Sequence, residues 1–130
     1  MTRETYRFPA RLGGTIFLDF TNTIEFRDTE RCIETLHSYQ HVLAWCWQNG
    51  QVGDRDSTRC EALAAAHPAA ADAAFRAALD LRDVVYRIFT GIIDGCKPSG
   101  DDFARLNGAF AGVTRRVEPC GDGYEWAWAF

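Results

Sequence analysis

Lysine is almost missing from this chain: of its 14 basic residues, all but Lys97 are arginine. The longest basic run is the pair Arg115–Arg116, and the formal net charge is -4. Phosphate neutralisation needs a basic face or stripe, so these residues by themselves do not make a nucleic-acid binder. With so much alanine beside it, the arginine bias reads as the mark of a GC-rich coding sequence. The five cysteines, Cys32, Cys46, Cys60, Cys96 and Cys120, never approach C-x-x-C spacing. Zinc fingers and ribbons place two ligands on one short turn, so structural zinc is not expected, and an odd count reads as reduced thiols. No apolar run approaches the roughly 20 residues of a membrane span, and "MTRETYRFPARLGG" lacks the apolar centre of a secretory leader. The expectation is a cytoplasmic protein without membrane contact.

Catalytic frames are missing too. There is no G-x-S-x-G, no P-loop and no G-x-G-x-x-G. His37 and His41 stand four apart with Glu34 three before His37, but the zinc-protease pattern needs Glu where Ser38 stands. A di-iron bundle would need a second E-x-x-H unit. The paired acids Asp101–Asp102 suit a helix N-terminus, which favours negative charge. No enzymatic activity, catalytic residue, bound metal or cofactor is expected.

An apolar fraction of 47% and a charged fraction of 25% are those of an ordinary globular protein, and the length suits one domain with one core. Helical spacing runs from Thr29 to Gln48 through Ile33, Leu36, Leu43 and Trp47, with Asp28 or Thr29 as its cap and Asn49–Gly50 as its stop. Thr58 and Glu61 fit a capping box for a short helix to about Ala66. Pro68 ends that helix and suits the first turn of the next, which runs to about Asp94 with Phe75, Ala78, Leu81, Val85, Ile88, Phe89 and Ile92 as its stripe. Ser99 and Asp102 can cap another helix through Phe110. Beyond Gly112 the period falls to two: Asp122–Gly123 is a favourable hairpin turn, and Tyr124, Trp126, Trp128 and Phe130 share one face. The predicted fold is α+β, mainly α: four to five helices packed in one domain with a C-terminal antiparallel β-hairpin.

One stretch resists this tidy reading. In "GGTIFLDFTNTIEFRD" the polar Asp19, Asn22 and Thr23 are threaded among large apolar residues. As a strand, Ile16, Leu18, Phe20, Asn22, Ile24 and Phe26 share a face that Asn22 interrupts. As a helix over 16–25, Asp19, Asn22 and Thr23 fall at i, i+3 and i+4 and project together, with Phe17, Phe20 and Ile24 turned inward. The trio then either fixes a cap or loop, or lines a ligand pocket or pairs with an arginine such as Arg82.

That stretch, with "LAWCWQNG", "LRDVVYRIFTGIIDG", "LNGAF" and "GYEWAW" following in order, resembles the ABATE domain, the N-terminal part of the CGNR zinc-finger proteins. The most specific element is L-D-F-x-N-T at Leu18, Asp19, Phe20, Asn22 and Thr23. The resemblance favours the helical reading of residues 16–25 and implies a bacterial, stress-related transcription regulator. It implies a sensing domain ahead of a zinc finger that contacts DNA; the Cys-Gly-Asn-Arg motif is absent from this chain. The expected map is an N-terminal arm at 1–14 and an ABATE-like domain at 15–130. The expected ligand contacts for an unidentified small molecule are Asp19, Asn22 and Thr23, with Trp45, Arg82 and Asn107 from neighbouring helices. The alternative is a protein-interaction or dimerisation module, such as a homodimer, acting through the C-terminal aromatic strand, the Asp-x-x-Asn-Thr cluster then being purely structural.

Overall fold

A computed structural model describes residues 2–112 and 115–128; the side chains of 115–118, 120 and 125–128 lie outside that description. The chain divides into two compact units, Met1–Tyr86 and Arg87–Phe130. The fold is α+β and mainly α, with five α-helices among the described residues, but the expected packing of four to five helices in one domain with a C-terminal antiparallel β-hairpin does not hold. There are two units, and a second two-stranded sheet lies near the N-terminus. Within residues 87–130, Arg87 grips Asp102, and β3 (Arg115–Cys120) pairs with β4 (Gly123–Trp128).

The first unit starts with a 3-10 turn, Arg3–Thr5, followed by α1 (Ile16–Thr21), β1 (Ile24–Glu25) and β2 (Ile33–Glu34). Then come α2 (Tyr39–Gln48), α3 (Asp54–Ala66) and the larger part of α4 (Pro68–Ile93). Helix α1 is far shorter than the predicted 16–25. The hydroxyls of Thr21 and Thr23 donate to the carbonyls of Leu18 and Phe20, both at 2.7 Å. Such local bonds compete with the helical ladder, and Asn22 closes the helix as its C-cap. Ile24 and Glu25 then pair antiparallel with Glu34 and Ile33.

This pairing also overturns the predicted helix from Thr29. Residues 26–32 form a tight connection in which Phe26 (φ 51°) and Asp28 (φ 64°) take left-handed backbone. Beyond β2, the Thr35 amide and hydroxyl both donate to the Thr23 carbonyl, at 3.2 and 2.6 Å. The chain is therefore extended through Leu36, whose side chain is nonetheless buried. Helix α2 begins where Ser38 offers its oxygen to the His41 amide at 3.3 Å. It packs against α3 and against the Arg3–Thr5 turn.

The core of this unit is Leu36, Leu43, Ala44, Trp45, Ala64, Ala71 and Val84, with Phe20 tilted onto Trp45 at 5.1 Å between ring centroids. Helix α3 opens at Asp54, ahead of the expected capping box, with Asp54 and Asp56 in its first turn. Helix α4 opens on Pro68, where a missing N–H costs nothing.

The second unit holds the last turns of α4, with Ile88 buried, then α5 (Gly100–Ala111) and the paired β3 and β4. Ser99 caps α5 by accepting from the Asp102 amide at 3.1 Å. The β3–β4 register sets Tyr124 against Pro119 and Trp126 against Val117. Tyr124 is exposed; the side chains of Trp126 and Trp128, and all of Phe130, lie outside the described residues. Among the described residues no helix is long and apolar enough to cross a membrane.

Candidate functional site

The sequence-singled segment is held at both ends, and by different partners. At its start, Gly13 donates its amide to Asp19 Oδ1 at 2.8 Å, and Arg11 Nε reaches Asp19 Oδ2 at 3.0 Å. A Cβ on Gly13 would sit 2.7 Å from Leu18 Cβ, so only glycine lets the arm lie this close to α1. The Gly13 amide, then the Arg11 guanidinium, hold the Asp19 carboxyl below its ordinary range.

At its end, Thr23 meets a buried arginine. Arg82, 2% exposed, projects from α4 and donates from Nη1 to Thr23 Oγ1 at 3.1 Å. The same guanidinium grips Glu34 on β2 through two parallel bonds, Nη1 to Oε1 at 2.8 Å and Nη2 to Oε2 at 2.6 Å. Such a fork is the strong form of a carboxylate–arginine contact. Burial works against ionisation of Glu34, but Arg82 and the Leu36 and Thr35 amides outweigh it and lower its pKa. Arg82 Nε, 3.7 Å from Asp83 Oδ1, is buried without a hydrogen bond. Alongside, Arg27 donates twice to Asp83 Oδ1 at 3.0 Å and lies over the Tyr86 ring, while Tyr86 donates to Asp28 at 2.6 Å. The left-handed connection after β1 is thus fastened to α4 at Arg27 and Asp28.

A family model built on this kind of chain matches residues 14–129. The chain belongs to the ABATE family. The family's description is "Putative stress-induced transcription regulator". No curated protein and no solved structure matches the chain.

Within this ABATE domain the six expected contacts do not form one group. Thr23 and Arg82 touch. Asp19 is buried but spends both oxygens on the arm. Asn22 is exposed at the end of α1, so the trio does not project together; the helix ends too early for its i, i+4 geometry to apply. Trp45 is core, against Phe20. Asn107 is exposed on α5, in the second unit.

Two partners escaped the sequence reading. Glu34 drew attention only through its spacing to His37, and Arg11 lay in an arm read as a lead-in. A carboxylate between Ile33 and Leu36 in "CIETL" was the available signal for Glu34. His37 and His41 stack edge to face at 5.3 Å, and His41 Nδ1 lies 3.0 Å from Ser38 Oγ. Burial, then the neighbouring His37, lower the His41 pKa. Among the described residues no three His, Cys, Asp or Glu side chains gather as metal ligands would.

Proposed function

We propose that this ABATE domain is the ligand-sensing part of a stress-responsive transcription regulator, with DNA contact made by residues other than those described. The observation that carries the reading is the family match over residues 14–129. The geometry supports it in one respect. Asn22 stands exposed between two clamped neighbours, Asp19 fixed to the arm and Thr23 fixed to α4, so a molecule held by Asn22 acts directly on both clamps. We assign the sensing contact to that exposed end of α1.

The test is made in the native gene. Replacing Asn22→Ala, at equal protein level, abolishes the change in transcript pattern that stress evokes; an unchanged response overturns the sensing role. Sequence-specific retardation of duplex DNA by residues 1–130 alone would overturn the claim that DNA contact lies elsewhere.

A second reading has one observation behind it: Tyr124 on β4 is 80% exposed, and exposed aromatics anchor protein interfaces. A homodimer through this strand would give a sedimentation mass of two chains that Tyr124→Ser reduces to one.

A further inference from the structure

We infer that the contact between Tyr6 and His41 is an acid-sensitive latch that holds the N-terminal arm on helix α2. The Arg3–Thr5 turn packs on α2, and residues 2–13 precede the stretch that the family match covers. The latch shares no residue with the Thr23–Glu34–Arg82 cluster and does not rest on the sensing role given to Asn22.

The interface joins fixed bonds to one titratable ring. Gln48 Nε2 donates to the carbonyls of Arg3 and Tyr6, at 2.8 and 3.0 Å. Arg3 Nε meets Glu61 Oε1 at 3.2 Å, and its guanidinium lies over the Trp47 ring at 5.2 Å. Tyr6 meets the half-buried His41 edge to face, with 4.5 Å between ring centroids.

Several features of this place oppose a charge on His41. His37 lies 5.3 Å away on another side of the ring. His41 stands in the first turn of α2, where the helix dipole disfavours a cation. Ser38 Oγ caps α2 by accepting from the His41 amide and lies 3.0 Å from Nδ1. Its hydroxyl proton suits a neutral imidazole, which accepts at Nδ1; an imidazolium has no acceptor to offer. Burial first, and His37 second, accordingly hold the His41 pKa below its ordinary 6.5.

The ionisable groups of the surrounding elements are engaged with other partners or face water. On the arm, Arg7 turns to the Glu4 and Tyr6 carbonyls, and the Glu4 side chain is exposed. On α3, Glu61 is bridged to Arg3, Asp54 accepts from Trp47 at 2.7 Å, and Cys60 lies by Tyr39. Asp19 on α1 is held by Arg11, and Glu34 on β2 by Arg82. Undocking the arm returns His41 to water and its pKa toward 6.5, so the undocked chain takes up the proton first as pH falls. Docking is therefore at full strength above 6.5 and weakens as pH drops toward the lower, docked value. Each unit between the two values loosens the hold about ten-fold.

The test is a nuclear magnetic resonance titration of the full chain from about pH 7.5 to about pH 5, the histidine range. The Tyr6–His41 ring cross-peak should fade, and the Gln48 side-chain amide should move toward its free position, in step with the His41 ring. Core amides on α4, such as Ala71 and Val84, should hold their positions. His41→Gln should abolish the response of the Gln48 amide. Tyr6→Ala should raise the His41 midpoint toward 6.5, because the coupling between docking and protonation is reciprocal. A merely structural contact predicts a steady arm. Arm signals that stay fixed while His41 titrates overturn the proposal, as does a response that survives His41→Gln or a His41 midpoint unmoved by Tyr6→Ala.

Discussion

Arg82 is buried, so its value to the fold rests on Thr23 and Glu34, with the Asp83 carboxylate nearby. Removing one member of a buried charge pair costs about 3–5 kcal/mol. Glu34 is still 33% exposed, so Arg82→Met should cost somewhat less, about 2–4 kcal/mol, read as a lowered midpoint in urea. Thr23→Val, which removes only the hydroxyl, should cost about 1 kcal/mol. Asn22→Ala should change stability by less than about 0.5 kcal/mol, because its side chain is on the surface. Acid should weaken the fold in a particular way. Glu34 titrates lower in the folded chain than its ordinary 4.5, so as pH falls the unfolded chain takes up the proton first. The contribution is full above that ordinary value and is lost as pH drops through the folded one. Glu34→Gln should therefore lower stability at neutral pH yet flatten its decline as pH falls below the ordinary carboxyl value of 4.5. Equal acid slopes for the two proteins would show that Glu34 does not carry the effect.

Elements were legible where their ends are written locally and illegible where they are fixed from afar. Pro68 at the head of α4, Ser99 ahead of α5 and Asn49–Gly50 after α2 all act within one turn of themselves. Residues 29–37 carry apolar spacing that suits a helix, and nothing nearby contradicts it. What makes them extended is the ladder to β1 and the grip of Arg82 on Glu34, 48 residues away. The same holds for the candidate site: Asp19, Thr23 and Arg82 could be singled out, but Gly13 and Arg11 as the partners of Asp19 could not. Ser38, the true start of α2, should be worth about 1 kcal/mol as a cap, measured by Ser38→Ala in thermal or urea unfolding. Phe26 is a bulky residue in left-handed backbone and is exposed. Phe26→Asn should raise stability by up to about 1 kcal/mol; a loss instead would mean that the ring holds the β1–β2 connection in place.

At the scale of the whole chain, charge decides. With a net -4 and no basic stripe, residues 1–130 should bind duplex DNA weakly and without sequence preference. Filter binding at two salt concentrations checks this, since any residual affinity should fall steeply with salt. The division into two compact units was not visible in the sequence, because an even spread of helical patterns gives no composition break between Tyr86 and Arg87.

The long reach between Thr23 and Arg82 also sets an order on synthesis. The two residues lie 59 positions apart, so at about 5–20 residues per second the ribosome needs roughly 3–12 s to deliver the second after the first. During that interval the emerging β1–β2 ribbon carries a carboxylate and a hydroxyl with no guanidinium to hold them. Two strands of two residues each do not persist alone. A nascent chain stalled before codon 82 is therefore a ready meal for proteases, and slow codons between α3 and the middle of α4 should lower yield more than slow codons after it.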